Sequence, residues 1–375
     1  VLAVSEDDMS DNSNIEWCDA TWNIITGCSV ESPACTNCYA MRLAGTRLRE
    51  HPSRKGLTKI VNGKPVWTGE VRFNEQWLMQ PLQWKRPRKI FVCAHADLFH
   101  PNVPDEWIDR IFAVMALAPW HTFMVLTKRP KRMCEHLSAI GDKLIRYRKT
   151  GGGPLVEALG DIAARIPSAS RETAAATYLP FIDPTEGKWP LPNVMLGVTA
   201  EDQKRADERI PHLLATPAAK RFVSIEPMLG ETHLMQIAHE NGNPCHYYNA
   251  IDGYVIDGTQ SETDRLDLVI VGGESGPGAR PMHPDWARSI RDQCATAGVP
   301  FMFKQWGDWA VTYERANDPD WRHAPSAKDT DERYLNLAGG CGFHGERVVF
   351  VRRVGKSRAG RLLDGVEHNG TLEDQ

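Results

Sequence analysis

The chain has 375 residues, 42% of them hydrophobic and 25% charged, with a formal net charge of −4. That length can bury a full core, as one large α/β domain or two smaller ones. The composition is that of a globular protein, and no apolar run reaches the roughly eighteen residues that a membrane-spanning helix requires.

Nine cysteines are an odd number, and too few for a disulfide scaffold at this length. With no charged-then-apolar leader, the natural setting is a reducing cytoplasm, where clustered cysteines bind metal or catalyse. Charge is unevenly spread. Residues 41–150 hold twenty-one Lys and Arg against nine Asp and Glu, a local +12 that leaves −16 for the rest. A second basic run covers 347–361. Such asymmetry suits a polyanionic partner, and it also suits solvated helix faces.

In chain order, 1–14 is polar and acidic and is expected to be a disordered tail, with initiation at Val1 through a non-standard start or at Met9. Short β-branched and aromatic runs follow at 21–26, 71–73, 90–94, 122–126, 194–198, 222–225, 268–271 and 300–303. Several are continuously apolar, as in strands buried on both faces. Helical spacing predicts helices over 36–49, 104–118, 131–147, 154–166, 202–214 and 284–297. In the clearest, Pro104 suits the first helical position and Asp105 and Glu106 the positive end of the dipole, while Trp107, Ile108, Ile111, Phe112 and Met115 recur as a core face.

Strands alternating with helices predict an α/β fold, a (β/α)8-like or incomplete TIM barrel. It would span 15–306, with insertions at about 151–191 and 229–264 and a C-terminal appendage over 307–375 that holds one strand at 348–351.

Active sites of such barrels lie at the carboxyl ends of the strands. There the sequence places His95, Asp97 and His100; Thr127, Lys128 and Arg129; Thr199 and Glu201; Glu226; Gly272, Gly273 and Glu274; and Lys304. The first strand runs into Gly27-Cys28, followed by Cys35-Thr36-Asn37-Cys38-Tyr39, a C-x6-C-x2-C pattern. Three thiolates hold three corners of an iron–sulfur cubane and leave one iron open for chemistry. C-x2-C is also half of a structural zinc site, with Cys18 or a distant His as the fourth ligand, though the spacing favours iron–sulfur. The remaining cysteines, Cys18, Cys93, Cys134, Cys245, Cys294 and Cys341, are scattered, and most of them read as small buried residues. The glycines at 272–273 suit a tight turn or a close backbone approach.

The segment Ile15-Glu16-Trp17-Cys18-Asp19-Ala20-Thr21-Trp22-Asn23 with its Gly27-Cys28…Cys35…Cys38-Tyr39-Ala40 loop resembles a phage-associated family of unknown function whose members look like radical S-adenosylmethionine (SAM) proteins. Matching segments recur at 97–100, 126–130, 196–199, 224–227, 271–275, 303–307 and 355–365. The resemblance implies a radical-SAM-type barrel in which Cys28, Cys35 and Cys38 ligate a [4Fe–4S] cluster. The open iron would chelate SAM, and an external electron donor would trigger release of a 5′-deoxyadenosyl radical. Two features depart from that pattern. The usual first cysteine gap is three residues, not six, and the usual Gly-Gly-Glu follows the second strand, not the seventh.

On that reading Tyr39, Thr127, Lys128, Thr199 and Glu201 are candidate SAM contacts, and Asp97, Glu226 and Glu274 candidate catalytic or substrate residues. The substrate class is a nucleic acid, nucleotide or phosphorylated metabolite, with no membrane and an unknown partner protein. Two other readings stay open. One is a zinc-containing barrel hydrolase with metal held by His95, Asp97, His100 and Glu226. The other is a non-catalytic nucleic-acid-binding protein with a zinc-stabilised loop.

Overall fold

The computed structural model describes residues 13, 15–150, 153–166, 189–239, 242–243, 245–257, 261–327, 330–340 and 347–371. The expected tail, except residue 13, lies outside the described residues, as do 167–188 of the first expected insertion and Cys341.

One parallel sheet holds seven strands: β1 (Ala20–Trp22), β2 (Lys89–Val92), β3 (Thr122–Thr127), β4 (Val194–Thr199), β5 (Lys220–Ile225), β6 (Leu268–Gly272) and β7 (Phe301–Gln305). Their order in the sheet is their order in the chain. Parallel neighbours need long crossovers, and the chain supplies helices: α1 (Tyr39–Gly45) after β1, α2 (Asp105–Leu117) after β2, α3 (Pro130–Thr150) and α4 (Pro154–Ala164) after β3, α5 (Gln203–Ala215) after β4, and α6 (Pro284–Ala297) after β6. All residues of β4 and β6 are buried, which is why those segments read as unbroken apolar runs rather than alternating ones.

The expectation of eight strands is corrected to seven among the described residues. The run 71–73 forms only Arg72–Phe73, which pairs antiparallel with Ile25–Thr26 outside the parallel sheet. Its charged residue explains this, because the Arg72 guanidinium donates to the carbonyls of Pro52 and, at 2.8 Å, Lys55. A strand buried on both faces has no room for that side chain. The expected strand over 21–26 is also interrupted. Asn23 turns its Oδ1 to accept from the His95 amide at 3.0 Å, and the chain leaves the sheet after Trp22.

Contacts divide the chain into two compact units, one of Val1–Val30, Ala40–Gly197 and Ala215–Arg221, the other of Glu31–Tyr39, Val198–Leu214 and Phe222–Gln375. In the first, α2 buries Ile108, Ile111, Phe112 and Met115 as its spacing predicted, each worth about 1.5–3 kcal/mol of burial, while Trp107, expected on the same core face, is only partly buried. Pro104 is the extended N-cap of that helix rather than its first residue. Trp22 is wholly buried, and its indole N–H donates to the Trp77 carbonyl at 2.8 Å, so the largest apolar side chain of β1 leaves no polar atom unpaired.

In the second unit, α6 has a complete set of end signals. His283 Nδ1 accepts from the Asp285 amide, Pro284 opens the helix, and Gly298 closes it in the left-handed region at φ 65°. Residues 229–264 carry a three-stranded antiparallel sheet (Ile237–Ala238, Tyr247–Asn249, Tyr254–Ile256). The strand expected at 348–351 is the central member, Val348–Arg353, of another, flanked by Trp309–Glu314 and Glu332–Asn336. The C-terminal segment then runs beside β7, with the Phe303 amide donating to His368 at 3.0 Å and a bridge between Met302 and Asn369. This covers the strand at the end of the sheet order. No described helix is long and apolar enough to cross a membrane.

Candidate functional site

The chain passes from one unit to the other between Val30 and Glu31 and returns after Tyr39, so the cysteine loop has two halves, each built by its own unit. Gly27 starts it at φ 95°. A Cβ there would lie 2.2 Å from the Glu70 carbonyl oxygen, so only glycine brings the chain through. Cys28 follows, half-buried.

Behind Cys28 lies a buried ion pair. Asp97, at the carboxyl end of β2, is 5% exposed. Its Oδ1 accepts from the Thr127 hydroxyl at 2.7 Å and the Phe99 amide at 3.0 Å, and its Oδ2 from the Lys128 amide at 3.0 Å and Arg129 Nη1 at 2.8 Å. Burial pushes the Asp97 carboxyl up, but the Arg129 charge, the Thr127 hydroxyl and the two amides together hold it below the usual range. Arg129, 8% exposed, reaches on to the loop. Nη1 lies 3.7 Å from Cys28 Sγ, and Nη2 donates to Ser29 at both Oγ (2.9 Å) and the carbonyl (3.3 Å).

His100 completes this half, with its Nε2 2.9 Å from Ser29 Oγ. Burial, then the Arg129 charge, lowers His100 to about 4, so the ring is neutral near pH 7. Its Nδ1 accepts from the Asn102 amide at 3.1 Å, which assigns the proton to Nε2 and makes Ser29 Oγ the acceptor.

Two further buried carboxylates hold the downstream half. The turn Pro33–Cys35 places the Ala34 amide 3.3 Å from Glu201 Oε1, and the Cys38 amide donates to the Cys35 carbonyl at 3.3 Å. Glu201 is fully buried just past β4, and its other oxygen accepts from Arg209 on α5 at 2.9 Å. Glu274, 6% exposed, follows β6. Arg280 meets it side-on, with Nε to Oε2 at 2.8 Å and Nη2 to Oε1 at 2.6 Å, and adds its own amide at 2.9 Å. Asn37 Nδ2, between Cys35 and Cys38, donates to Glu274 Oε2 at 3.0 Å and to the Gly278 carbonyl at 2.9 Å, while Arg280 Nη2 donates to the Pro33 carbonyl at 3.0 Å.

Glu226, after β5, stands apart from the loop contacts. Lys304 Nζ donates to both its oxygens at 2.8 and 2.9 Å, and Gln305 Nε2 to Oε1 at 3.1 Å. The Gly-Gly-Glu glycines make close approaches, as expected. A Cβ on Gly273 would sit 2.0 Å from the Trp306 carbonyl oxygen, and one on Gly272 would sit 3.3 Å from the Glu226 carboxyl carbon.

The sequence candidates therefore separate into groups. Asp97, Thr127 and the Lys128 backbone join behind Cys28; Glu201 and Glu274 each fasten the segment that holds Cys35 and Cys38; Glu226 pairs with Lys304. Thr199 is buried, and its carbonyl accepts from Arg209 at 2.8 Å. Tyr39 opens α1 and is 44% exposed. Sequence reasoning did not single out Ser29, Asn37, Arg209 or Arg280 as site residues, and it placed Arg129 at a strand end without giving it a role. Asn37 lies inside the cysteine motif, which was a usable signal; the arginines follow their carboxylates by eight and six residues with no periodicity to mark them.

Among the described residues, no three His, Cys, Asp or Glu side chains converge as a metal site. Of the residues named for a zinc hydrolase, His95 faces Arg54, Asp97 Arg129, His100 Ser29 and Glu226 Lys304. The cysteine trio still fits a cluster in its chemistry. All three thiols are partly exposed, whereas burial pushes Cys93 and Cys294 up to about 12, and a guanidinium lies beside one of the three sulfurs.

The family described as protein of unknown function (DUF5131) has a model that matches residues 12–371. The chain belongs to that family. Searches of curated proteins and of solved structures each found no match. The DUF5131 match spans both units and the whole of the loop from Cys28 to Cys38.

Proposed function

We propose that this protein is a radical SAM enzyme acting on a nucleic acid, a nucleotide or another phosphorylated metabolite. The observation that carries the reading is the loop itself, in which three partly exposed thiols on eleven residues are fixed upstream by the Asp97–Arg129 pair and downstream by Glu201 and Glu274. A three-cysteine [4Fe–4S] cluster with bound SAM supplies a strongly oxidising carbon radical when an external donor reduces it.

The chain's own residues do the rest. Cys28, Cys35 and Cys38 are the cluster ligands. Arg129 places positive charge at Cys28 and favours its thiolate, and Asp97 orients Arg129. Glu201, Glu274, Asn37 and Arg280 keep the downstream cysteines in place, so the two glutamates act through the loop rather than on substrate. Thr127 is committed to Asp97, which leaves Tyr39, Lys128 and Thr199 as the SAM contacts of this reading. Glu226 and Lys304 offer an acceptor and a donor side by side to a polar substrate group. A reducing, cytoplasmic setting suits such a centre.

Anaerobic reconstitution with iron and sulfide, followed by SAM and dithionite, tests this. The expected result is a brown protein that forms 5′-deoxyadenosine in a manner abolished by Cys35→Ala. A colourless protein that holds zinc through four of its own side chains would overturn it.

A further inference from the structure

Residues 41–69 hold seven Lys and Arg against one carboxylate, Glu50. Arg49 and Lys55 share that carboxylate at 3.2 and 3.4 Å, and Arg54 is fully buried with a hydrogen bond to Ser53 Oγ at 2.7 Å. Arg47, Lys59 and Lys64 are exposed and form no ion pair among the described residues.

Lys59 and Lys64 stand on an antiparallel hairpin, Thr58–Val61 paired with Lys64–Trp67. Its turn is Asn62-Gly63, with φ 49° and 74°, the positive pair that a tight two-residue hairpin turn requires. The register sorts the side chains into two faces. Thr58, Ile60, Pro65 and Trp67 share one, and its root packs on α1: Trp67 is buried, and a Cβ on Gly45 would collide with Pro65 and come within 3.2 Å of Thr58 Oγ1. Lys59, Val61, Lys64 and Val66 share the other face, with Lys59 opposite Val66 and Val61 opposite Lys64. That face is open to solvent, with only Val66 half-buried. Ile60 and Val61, beside the turn, are 62% and 42% exposed, two of the few large apolar side chains left in water.

The root of the hairpin decides what it serves. The Thr68 amide donates to the Leu57 carbonyl at 3.0 Å and closes the ribbon. The Gly69 amide then donates to the Cys28 carbonyl at 3.2 Å, and the Gly69 carbonyl accepts from Asn102 Nδ2 at 2.9 Å. Only Thr68 separates the end of the second strand from the bond to Cys28, so the ribbon springs directly from the upstream half of the cysteine loop.

We propose that this ribbon docks duplex DNA by lying in the major groove. That groove, about 12 Å wide, admits a two-stranded β-ribbon. Lys59, Lys64 and Arg47 neutralise phosphates, and Val61 and Val66 offer the apolar contact that a thymine methyl group takes. A lipid surface is disfavoured because the tip that would enter it is the polar Asn62-Gly63 pair. A second copy of the chain is disfavoured because lysines on both strands of the open face would meet lysines. A single strand is held by stacking bases on aromatic side chains, and Trp67, the one aromatic residue of the hairpin, is buried. The inference names a substrate class for the nucleic-acid branch of the proposed function and rests on that branch alone, and its test needs no cluster, SAM or reductant.

The test is fluorescence anisotropy of the full chain with a labelled DNA duplex of about twenty-one base pairs, two helical turns, titrated at a series of salt concentrations. Because each neutralised phosphate contributes about −0.9 to the slope of log K against log salt on duplex DNA, Lys59→Gln with Lys64→Gln should make the slope shallower by about 1.8. Lys59→Arg with Lys64→Arg keeps both charges and should keep the wild-type slope. Arg322→Gln with Arg358→Gln removes the same number of charges from exposed positions elsewhere and should also leave the slope unchanged. A far-ultraviolet circular dichroism spectrum matching wild type confirms that each variant is folded.

The proposal is overturned by an unchanged slope in the Lys59→Gln, Lys64→Gln variant, by an equal loss in the Arg322→Gln, Arg358→Gln variant, by no binding at low salt, by tighter binding to the single strand than to the duplex, or by binding to anionic phospholipid vesicles instead of DNA. Duplex binding through the hairpin in a protein that never yields 5′-deoxyadenosine would sink the radical reading and leave this inference standing. Formation of 5′-deoxyadenosine by a protein that binds no duplex would do the reverse.

Discussion

Replacing Asp97 by Asn is the sharpest probe of the support behind Cys28. The carboxylate accepts four hydrogen bonds, two on each oxygen. An amide keeps one carbonyl oxygen for the Thr127 hydroxyl and the Phe99 amide, but it turns an N–H group towards the Lys128 amide and Arg129 Nη1, both donors. The variant therefore loses two bonds and leaves a guanidinium that is 8% exposed without its counter-charge. Breaking a buried pair in this way costs about 3–5 kcal/mol, a large share of the roughly 5–15 kcal/mol that holds a typical fold. Arg129→Met should cost a similar amount, and because the two share one interaction, the double variant should fall short of the sum by about 1–3 kcal/mol. Urea denaturation followed by far-ultraviolet circular dichroism and tryptophan fluorescence measures all four proteins. The acid side gives an independent check. A carboxyl held below its ordinary value stabilises the fold above the unfolded pKa of about 3.9, and that contribution disappears as pH falls through the lower folded value. Wild type should lose stability below about pH 4, and Asp97→Asn should lack that part of the loss. Single variants within about 0.5 kcal/mol of wild type, the range of ordinary surface changes, or strictly additive effects, would refute the account.

Asn37→Ala removes two hydrogen bonds from the segment between Cys35 and Cys38; at about 1 kcal/mol each, amide exchange over 31–39 should speed up and iron retention after reconstitution should drop, while urea midpoints move little. Thiol labelling of the native chain near pH 8 should modify Cys28, Cys35, Cys38 and the exposed Cys245, and should spare Cys93 and Cys294, whose thiols burial pushes up to about 12, until the chain is unfolded. For His100, lowered from 6.5 to about 4, the unfolded chain binds the proton first, so wild type should lose stability as pH falls between those values. His100→Gln should flatten that stretch of the curve, as read by urea midpoints at successive pH.

The strands, helices and cysteine motif were legible because each is written in one short stretch of chain. β3, β4 and β6 are continuous apolar runs, and α2 repeats its core face at helical spacing. What could not be read was pairing across long separations. Asp97 announces a polar strand end, but nothing local says that its partner is Arg129 rather than a ligand, since that choice depends on β2 and β3 being neighbours. Glu201 and Glu274 were legible as strand-end carboxylates; their engagement by Arg209 and Arg280 turns them from exposed candidates into buried supports. The same limit explains 71–73, where three residues carry too little pattern to separate an antiparallel edge from a parallel strand. In the first basic region Arg54, Arg110 and Arg132 look solvated in sequence and bond within the fold.

The identity of a fourth ligand separates a catalytic cluster from a structural metal, and the hydrogen bonding of the upstream half bears on it. Cys18 and His100, both in the unit that holds Cys28, have the chemistry to fill a fourth position. Cys18 is buried and donates its thiol to Ser13 Oγ at 3.3 Å. His100 has both ring nitrogens occupied, one accepting from Asn102 and the other donating to Ser29. Recruiting either would break partly buried hydrogen bonds at about 1 kcal/mol each, whereas Cys28, Cys35 and Cys38 sit partly exposed on a loop already fastened at both halves. On the proposed reading the protein therefore offers three ligands and stops, which leaves one iron to a small molecule. Cys18→Ala with His100→Gln should then retain as much iron as wild type after reconstitution; a loss of half or more of the bound iron in that double variant would mean that the chain itself closes the site.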